Sequence, residues 1–267
     1  MAETDGLELS DCDLSDLREA KTRLEYPSLT AKLANLVGRP LEAGLKRLPG
    51  NWNKRVNEAT ETALFKGLDF SIRTMGNAEA RPSHDRLHKL VVVGSGAAAG
   101  TVGFYSLIVE LPFSTCVMLR SIADIARSEG HDISLVEVKL ACLEVLALGG
   151  KSSGDDSVET GYWTVRGALA RSLSEAASHL AKKGLTQEGA PPLARLIAAI
   201  ASRFSALITE EAAAKAVPIV GAVSGGAINY LFMNHFQEMA RGHFVVKRLE
   251  KKYGSALVEK AYRDLVI

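Results

Sequence analysis

The sequence lacks an excess of charge of either sign. Its 267 residues carry 32 lysines and arginines against 31 aspartates and glutamates, whereas proteins dedicated to nucleic acid usually show a basic excess. The composition therefore argues against a nucleic-acid partner. The acids are nevertheless unevenly distributed, because residues 1–19 hold seven acids and one base. We expect residues 1–30 to form an acidic, partly disordered N-terminal segment.

Cysteine is also scarce. The three cysteines, Cys12, Cys116 and Cys142, show no metal-ligand spacing, and the last two lie in apolar helical patterns, which is typical of reduced, buried thiols. The first residues lack the basic start and apolar run of a secretory signal. We therefore expect the protein in the cytoplasm, or peripheral to the inner face of the membrane.

Patterns typical of β-strands are absent. Apolar and polar residues do not alternate with a period of two, and no hairpin-turn sequence lies between two apolar runs. Apolar residues instead recur at steps of three and four, as at Leu193, Leu196, Ile197 and Ile200, the spacing of an amphipathic helix with one buried face. The sequence therefore predicts an all-α fold, in which residues 31–267 form one multi-helix domain.

Two long stretches contain no charged residue. Residues 90–109 read LVVVGSGAAAGTVGFYSLIV, and residues 216–234 read AVPIVGAVSGGAINYLFMN. A helix of either length reaches about 30 Å, the thickness of a bilayer core. Glycines on one helical face, at steps of three or four residues, would let two such helices approach closely. These glycines are Gly96, Gly100 and Gly103 in the first stretch, and Gly221 and Gly225 in the second.

Two interpretations of these stretches remain open. They are either the central helices of a soluble bundle or segments that insert into, or dock on, a membrane. We predict a multi-helix bundle in which two central, Gly-rich apolar helices pack together. Bases after the second stretch keep the membrane interpretation open, because such bases attract anionic lipid. They are Arg241, Lys247, Arg248, Lys251 and Lys252.

Five residues are candidates for binding a ligand or a metal ion, although no catalytic residue can be assigned. Glu110 ends the first neutral stretch, and Asp124 follows 14 residues later on nearly the same helical face. Asn229 lies in the second stretch, and His235 and Glu238 follow it at a spacing that could supply two metal ligands. We predict no cofactor, and a divalent metal ion is the alternative.

Two segments together resemble the EcsC family. The first spans residues 110–150 and contains Glu110-Leu111-Pro112, the helix motif RSIADIA at 120–126, and the turn Gly130-His131-Asp132. The second spans residues 215–254 and contains Pro218-Ile219-Val220-Gly221 and Asn229. The resemblance is strongest over residues 90–267 and leaves the first 80 residues outside it.

The resemblance implies a helical, bacterial-type protein that is cytoplasmic or peripheral to the membrane. The family takes its name from a locus that also encodes an ABC transporter, which suggests a link to transport or secretion, but it supplies no catalytic residues. We therefore expect a non-enzymatic module that binds a membrane surface, a lipid or a membrane protein. The alternative is a metal-assisted hydrolase or small-ligand-binding enzyme that uses a buried carboxylate and histidine cluster. The sequence leaves the oligomeric state open.

Overall fold

The described part of the chain folds into helices. The computed structural model describes residues 8–25, 29–37, 41–74, 106–148, 161–184, 190–216 and 225–267, which form ten helices and no strand. The helices are α1 (Asp11–Glu25), α2 (Leu29–Val37), α3 (Glu42–Leu45), α4 (Trp52–Thr74), α5 (Ser106–Ser128), α6 (Val136–Val145), α7 (Gly161–Lys183), α8 (Pro191–Ala216), α9 (Gly225–Tyr253) and α10 (Ser255–Asp264). The predicted all-α, multi-helix fold is confirmed.

Helix α9 lies at the centre of the fold. It contacts α1, α2, α5, α6, α8 and α10, and its middle part is buried on almost every side. The buried residues there include Phe236, Gln237, Met239, Ala240, His243 and Phe244. A polar group in such a position has to find a partner inside the protein. Gln237 Nε2 accordingly donates a hydrogen bond to Ser121 Oγ on α5, at 2.8 Å.

Helix α8 shows the apolar face that its sequence predicts. Leu193, Leu196, Ile197 and Ile200 are all buried. Among the helices of the described ranges, α8 is the one that is long and apolar enough to cross a membrane by length and composition. Since α3, α4 and α7 pack against it, α8 is a core helix of this bundle.

The acidic N-terminal segment contains a helix in its described part. Helix α1 packs along α9 and buries Leu17, Ala20 and Leu24 in the shared core. Residues 1–7 and 26–28 lie outside the described residues. The N-terminal acids are thereby brought against the C-terminal half of α9.

The structure describes residues 106–109 of the first neutral stretch, and residues 216 and 225–234 of the second. Helix α5 begins at Ser106 and α9 begins at Gly225, and these two helices pack against each other. The other predicted packing glycines lie outside the described residues; they are Gly96, Gly100, Gly103 and Gly221. Packing through these glycines stays a prediction.

Close helix contacts in the described residues involve other glycines. A Cβ atom at Gly242 of α9 would lie 2.6 Å from Leu24 Cγ and 2.9 Å from the backbone oxygen of Ala20, both on α1. A Cβ atom at Gly67 of α4 would lie 2.6 Å from Leu119 Cδ1 on α5. Glycine is therefore needed where α1 crosses α9.

We expect Gly242→Ala to destabilise the protein by about 1–3 kcal/mol, because the added methyl group overpacks the contact between α1 and α9. Gly167→Ala on α7 is a matched control, since a Cβ atom there meets nothing within 4 Å and alanine is favoured in a helix by about 1 kcal/mol. Urea unfolding followed by circular dichroism measures both changes. An equal effect of the two substitutions would contradict the close contact.

Candidate functional site

Two of the predicted ligand residues line one small cavity. Glu110 of α5 and Asn229 of α9 lie around it together with Glu211 of α8. Its volume is about 20 Å³, which is enough for one water molecule. Glu211 is buried, and its Oε1 lies 2.8 Å from Lys215 Nζ on the same helix. The cavity is therefore too small for a substrate, and one of its carboxylates is already paired with a cation.

Asp124 and Glu238 form ion pairs elsewhere. Asp124 Oδ1 lies 3.1 Å from Arg127 Nη2 on α5. Glu238 of α9 pairs with Arg241 at 3.0 Å and also with Arg23 of α1. These two carboxylates therefore link helices or helical turns instead of lining the cavity.

The geometry of a helix explains why the five candidates do not meet. Asn229 and Glu238 are nine residues apart, a rotation of about 900° that places them on opposite sides of α9. Glu110 and Asp124 share a face of α5, but about 21 Å of helix axis separates them. Among the described residues, no three His, Cys, Asp or Glu side chains lie close enough to hold a metal ion. The structure brings Glu110 and Asn229 together, and Asp124, His235 and Glu238 do not join them.

His235 is a buried core residue. Its side chain is 1% exposed, and within the described residues neither ring nitrogen has a hydrogen-bond partner. Burial, aided by the charge of Lys32 on α2, lowers the pKa of His235 to about 3. The ring is neutral at physiological pH and packs edge-on against Phe236.

A buried polar cluster that the sequence did not reveal joins α6, α7 and α9. Tyr162 Oη lies 3.0 Å from His243 Nδ1, and His243 Nε2 lies 3.5 Å from Glu144 Oε2. Burial lowers the pKa of His243 well below its usual value and raises the pKa of Glu144. A neutral ring whose Nδ1 accepts a hydrogen bond from the Tyr162 hydroxyl directs its Nε2–H towards Glu144. The spacing of these residues in the sequence does not predict the contact, because the three residues lie on three different helices.

Arg166 adds a charged pair to this cluster. Its guanidinium donates two hydrogen bonds to the carboxylate of Glu250, at 2.9 and 3.0 Å, and lies 4.8 Å from the ring centre of Trp163. Bidentate pairs of this kind fix the geometry of both partners. Since Tyr162, His243 and Glu144 are all buried, the cluster holds α7 on α6 and α9 and offers no access to a substrate.

The bases predicted to face a membrane lie in the C-terminal half of α9. They are Arg241, Lys247, Arg248, Lys251 and Lys252. Arg248 pairs with Asp16 at 2.9 Å, and Lys252 pairs with Asp13 at 2.6 Å. Both acids belong to α1, so the acidic N-terminal helix neutralises part of this basic segment. Lys251 and Lys252 are both exposed.

One end of the bundle exposes large apolar side chains. These residues are Leu45, Val109, Phe113 and Tyr230, which are 41%, 82%, 54% and 43% exposed. The small cavity is lined by Glu110 near the start of α5, Asn229 near the start of α9 and Glu211 near the end of α8. These three helix ends therefore lie together at this end of the bundle. Arg47 Nη1 donates to the backbone oxygen of Ala216 at 2.8 Å, which brings α3 to the same place. We call this region the apolar end.

A family comparison covers most of this structure. The model of the EcsC protein family matches residues 14–249. The chain belongs to the EcsC protein family. The EcsC match includes most of α1 and continues to the last turns of α9, so it extends beyond the resemblance seen in the sequence to the N-terminal third. No curated protein and no solved structure matches the chain.

For this EcsC family member, we expect His235→Leu to reduce the sensitivity of folding to acid. Histidine in the unfolded chain titrates near pH 6.5, whereas the pKa of buried His235 is about 3. Between these values the unfolded state binds one more proton, so the free energy of unfolding falls by about 1.4 kcal/mol per unit as the pH decreases.

The variant loses this contribution, and its stability should depend less steeply on pH by the same amount. Urea unfolding between about pH 8 and about pH 4 measures the slope for both proteins. The stability at the highest pH serves as the reference, because there both states hold a neutral histidine. A uniform offset with an unchanged slope would contradict a buried, neutral His235.

Proposed function

We propose that this protein is a non-enzymatic module that binds a membrane surface through the apolar end of its bundle. The observation that carries the proposal is the exposure of Val109 and Phe113. These residues are four apart on α5 and therefore lie on one face of the helix. Single exposed apolar residues are common, but grouped ones are typical of interaction surfaces.

The neutral stretches support a lipid partner. Residues 90–105 directly precede α5 in the sequence, and residues 217–224 directly precede α9. Both helices begin at the apolar end. A run without charge avoids the cost of placing ionised side chains near hydrocarbon, whereas the rim of a protein interface is usually polar.

The bases of residues 241–252 are less suited to this contact than their number suggests. From Tyr230 at the apolar end to Lys247 is about 25 Å along the axis of α9. Arg248 and Lys252 are also paired with the acids of α1. The proposal therefore assigns the membrane contact to the apolar end, and lipid binding by residues 241–252 stays a prediction.

The enzyme hypothesis has less support. The carboxylates of Glu110 and Glu211 surround a volume of about 20 Å³, and the histidines at positions 235 and 243 are buried without access for a substrate. A role in transport or secretion stays a prediction that the family resemblance alone motivates.

We expect the double substitution Val109→Asp/Phe113→Asp to weaken binding to phospholipid vesicles at least about tenfold. Two apolar side chains would otherwise leave water on binding, and full burial of each is worth about 1.5–3 kcal/mol. The control is Leu135→Asp/Val266→Asp, since these residues are 50% and 87% exposed and Leu135 lies beyond the opposite end of α5. Sedimentation with vesicles of phosphatidylcholine and phosphatidylglycerol measures the affinity.

The expected result is a loss of binding for the apolar-end variant and near-normal binding for the control. Circular dichroism and size-exclusion chromatography verify that both variants are folded. The proposal is overturned if the unaltered protein binds no vesicles, or if the two variants bind equally well. Retained vesicle binding by the apolar-end variant would indicate that another surface faces the lipid.

A further inference from the structure

We infer that the membrane bound by the apolar end is anionic, and that a basic corner between α3 and α4 recognises its headgroups. The basic corner consists of Lys46, Arg47, Lys54 and Arg55. This inference rests on the proposed function and adds the chemical class of the lipid. Sequence inspection alone pointed to a different set of bases, those of residues 241–252.

The basic corner is a local concentration of positive charge in a nearly neutral chain. Residues 41–57 contain four bases and one acid, Glu42. All four bases are exposed. A surface of this kind attracts phosphate-bearing headgroups, and each base near an anionic membrane strengthens binding about fivefold.

The first half of the corner lies beside the apolar end. Lys46 and Arg47 directly follow the exposed Leu45. The hydrogen bond from Arg47 to Ala216 attaches this segment to the last residue of α8. Apolar and cationic side chains are therefore neighbours on one surface, the combination that a membrane interface favours.

The second half of the corner lies at the start of α4, which approaches the same end. Trp52 Nε1 donates to Thr209 Oγ1 at 3.2 Å, and further along α4, Asn57 Oδ1 accepts from Ser205 Oγ at 3.4 Å. Later residues of α4 thus meet earlier residues of α8, so the two helices run antiparallel. The N-terminal turn of α4, which carries Lys54 and Arg55, consequently lies towards the end of α8.

Ion pairing distinguishes Lys46, Lys54 and Arg55 of the basic corner from Arg248 and Lys252 of α9. Within the described part of the chain, Lys46, Lys54 and Arg55 form no ion pair, whereas Arg248 and Lys252 lie 2.9 and 2.6 Å from carboxylates of α1. A cation that already has a carboxylate partner must share or lose it to bind a phosphate. Lys46, Lys54 and Arg55 have no carboxylate partner among the described residues that they would have to give up.

The test compares two triple variants with the same change in net charge. Lys46→Gln/Lys54→Gln/Arg55→Gln removes the corner but keeps Arg47, which holds α3 on α8. Lys66→Gln/Lys182→Gln/Lys260→Gln is the control, because these lysines are exposed on α4, α7 and α10, and Lys66 follows Lys54 by about 18 Å along α4. Affinities are measured for vesicles of pure phosphatidylcholine and for vesicles that also contain phosphatidylglycerol.

We expect the corner variant to bind the anionic vesicles about a hundredfold more weakly, from about fivefold for each of three bases. Its affinity for phosphatidylcholine should not change, and the control should stay within about threefold of the unaltered protein on both vesicles. If both variants lose the same affinity for anionic vesicles, the loss reflects net charge and not the basic corner, and the inference is overturned. Weaker binding of the corner variant to phosphatidylcholine would overturn it as well.

Failure of the inference and failure of the proposed function are distinguishable. If Val109→Asp/Phe113→Asp loses binding while the corner variant binds anionic vesicles normally, the apolar end contacts lipid without recognising its charge. If the unaltered protein binds neither vesicle, both proposals fail. Binding of the unaltered protein to both vesicles with equal affinity would refute the recognition of anionic lipid alone.

Discussion

The middle of α9 is buried on nearly all sides, and this burial determines how the surrounding helices pack. A helix in this position has to satisfy its polar groups within the protein, since an unpaired buried group costs free energy. Gln237 donates to Ser121, and His243 lies within hydrogen-bond distance of Tyr162. His131 Nε2 likewise lies 2.9 Å from the backbone oxygen of Phe244. These contacts fix α5, α7 and the turn before α6 around α9.

The two ends of α9 differ in the side chains that they expose. At its start, α3, α5 and α9 each expose an apolar side chain. At its other end, Arg248 and Lys252 are compensated by Asp16 and Asp13 of α1. Compensated charge holds a structure together, whereas exposed apolar surface and unpaired cations favour contact with a lipid surface. The asymmetry of the bundle thus agrees with a one-sided, peripheral association.

Local features of this fold could be predicted from the sequence, and contacts between helices could not. The three- and four-residue steps from Leu193 onward predict the buried face of α8, because helical periodicity is a property of neighbouring residues. The same periodicity placed Glu110 and Asp124 on one face, yet a shared face does not mean proximity along the axis. The sequence does not distinguish Gly242 from other helical glycines, because its role depends on the crossing of α1. Likewise, Glu144 and His243 are neighbours because α6 packs on α9, which the sequence does not show.

The distribution of charge shows most clearly that contacts between helices could not be predicted from the sequence. The basic segment at residues 241–252 is conspicuous in the sequence, but its compensating acids lie 232 and 239 positions away from Arg248 and Lys252. The bases near residues 46–55 are fewer and interrupted by apolar residues, yet the fold gives Lys46, Lys54 and Arg55 no carboxylate among the described residues. The electrostatic attraction that a surface exerts depends on its uncompensated charge and not on the number of its bases. Tertiary pairing, which residue counts do not reveal, therefore determines which cations of this protein are available to an anionic partner.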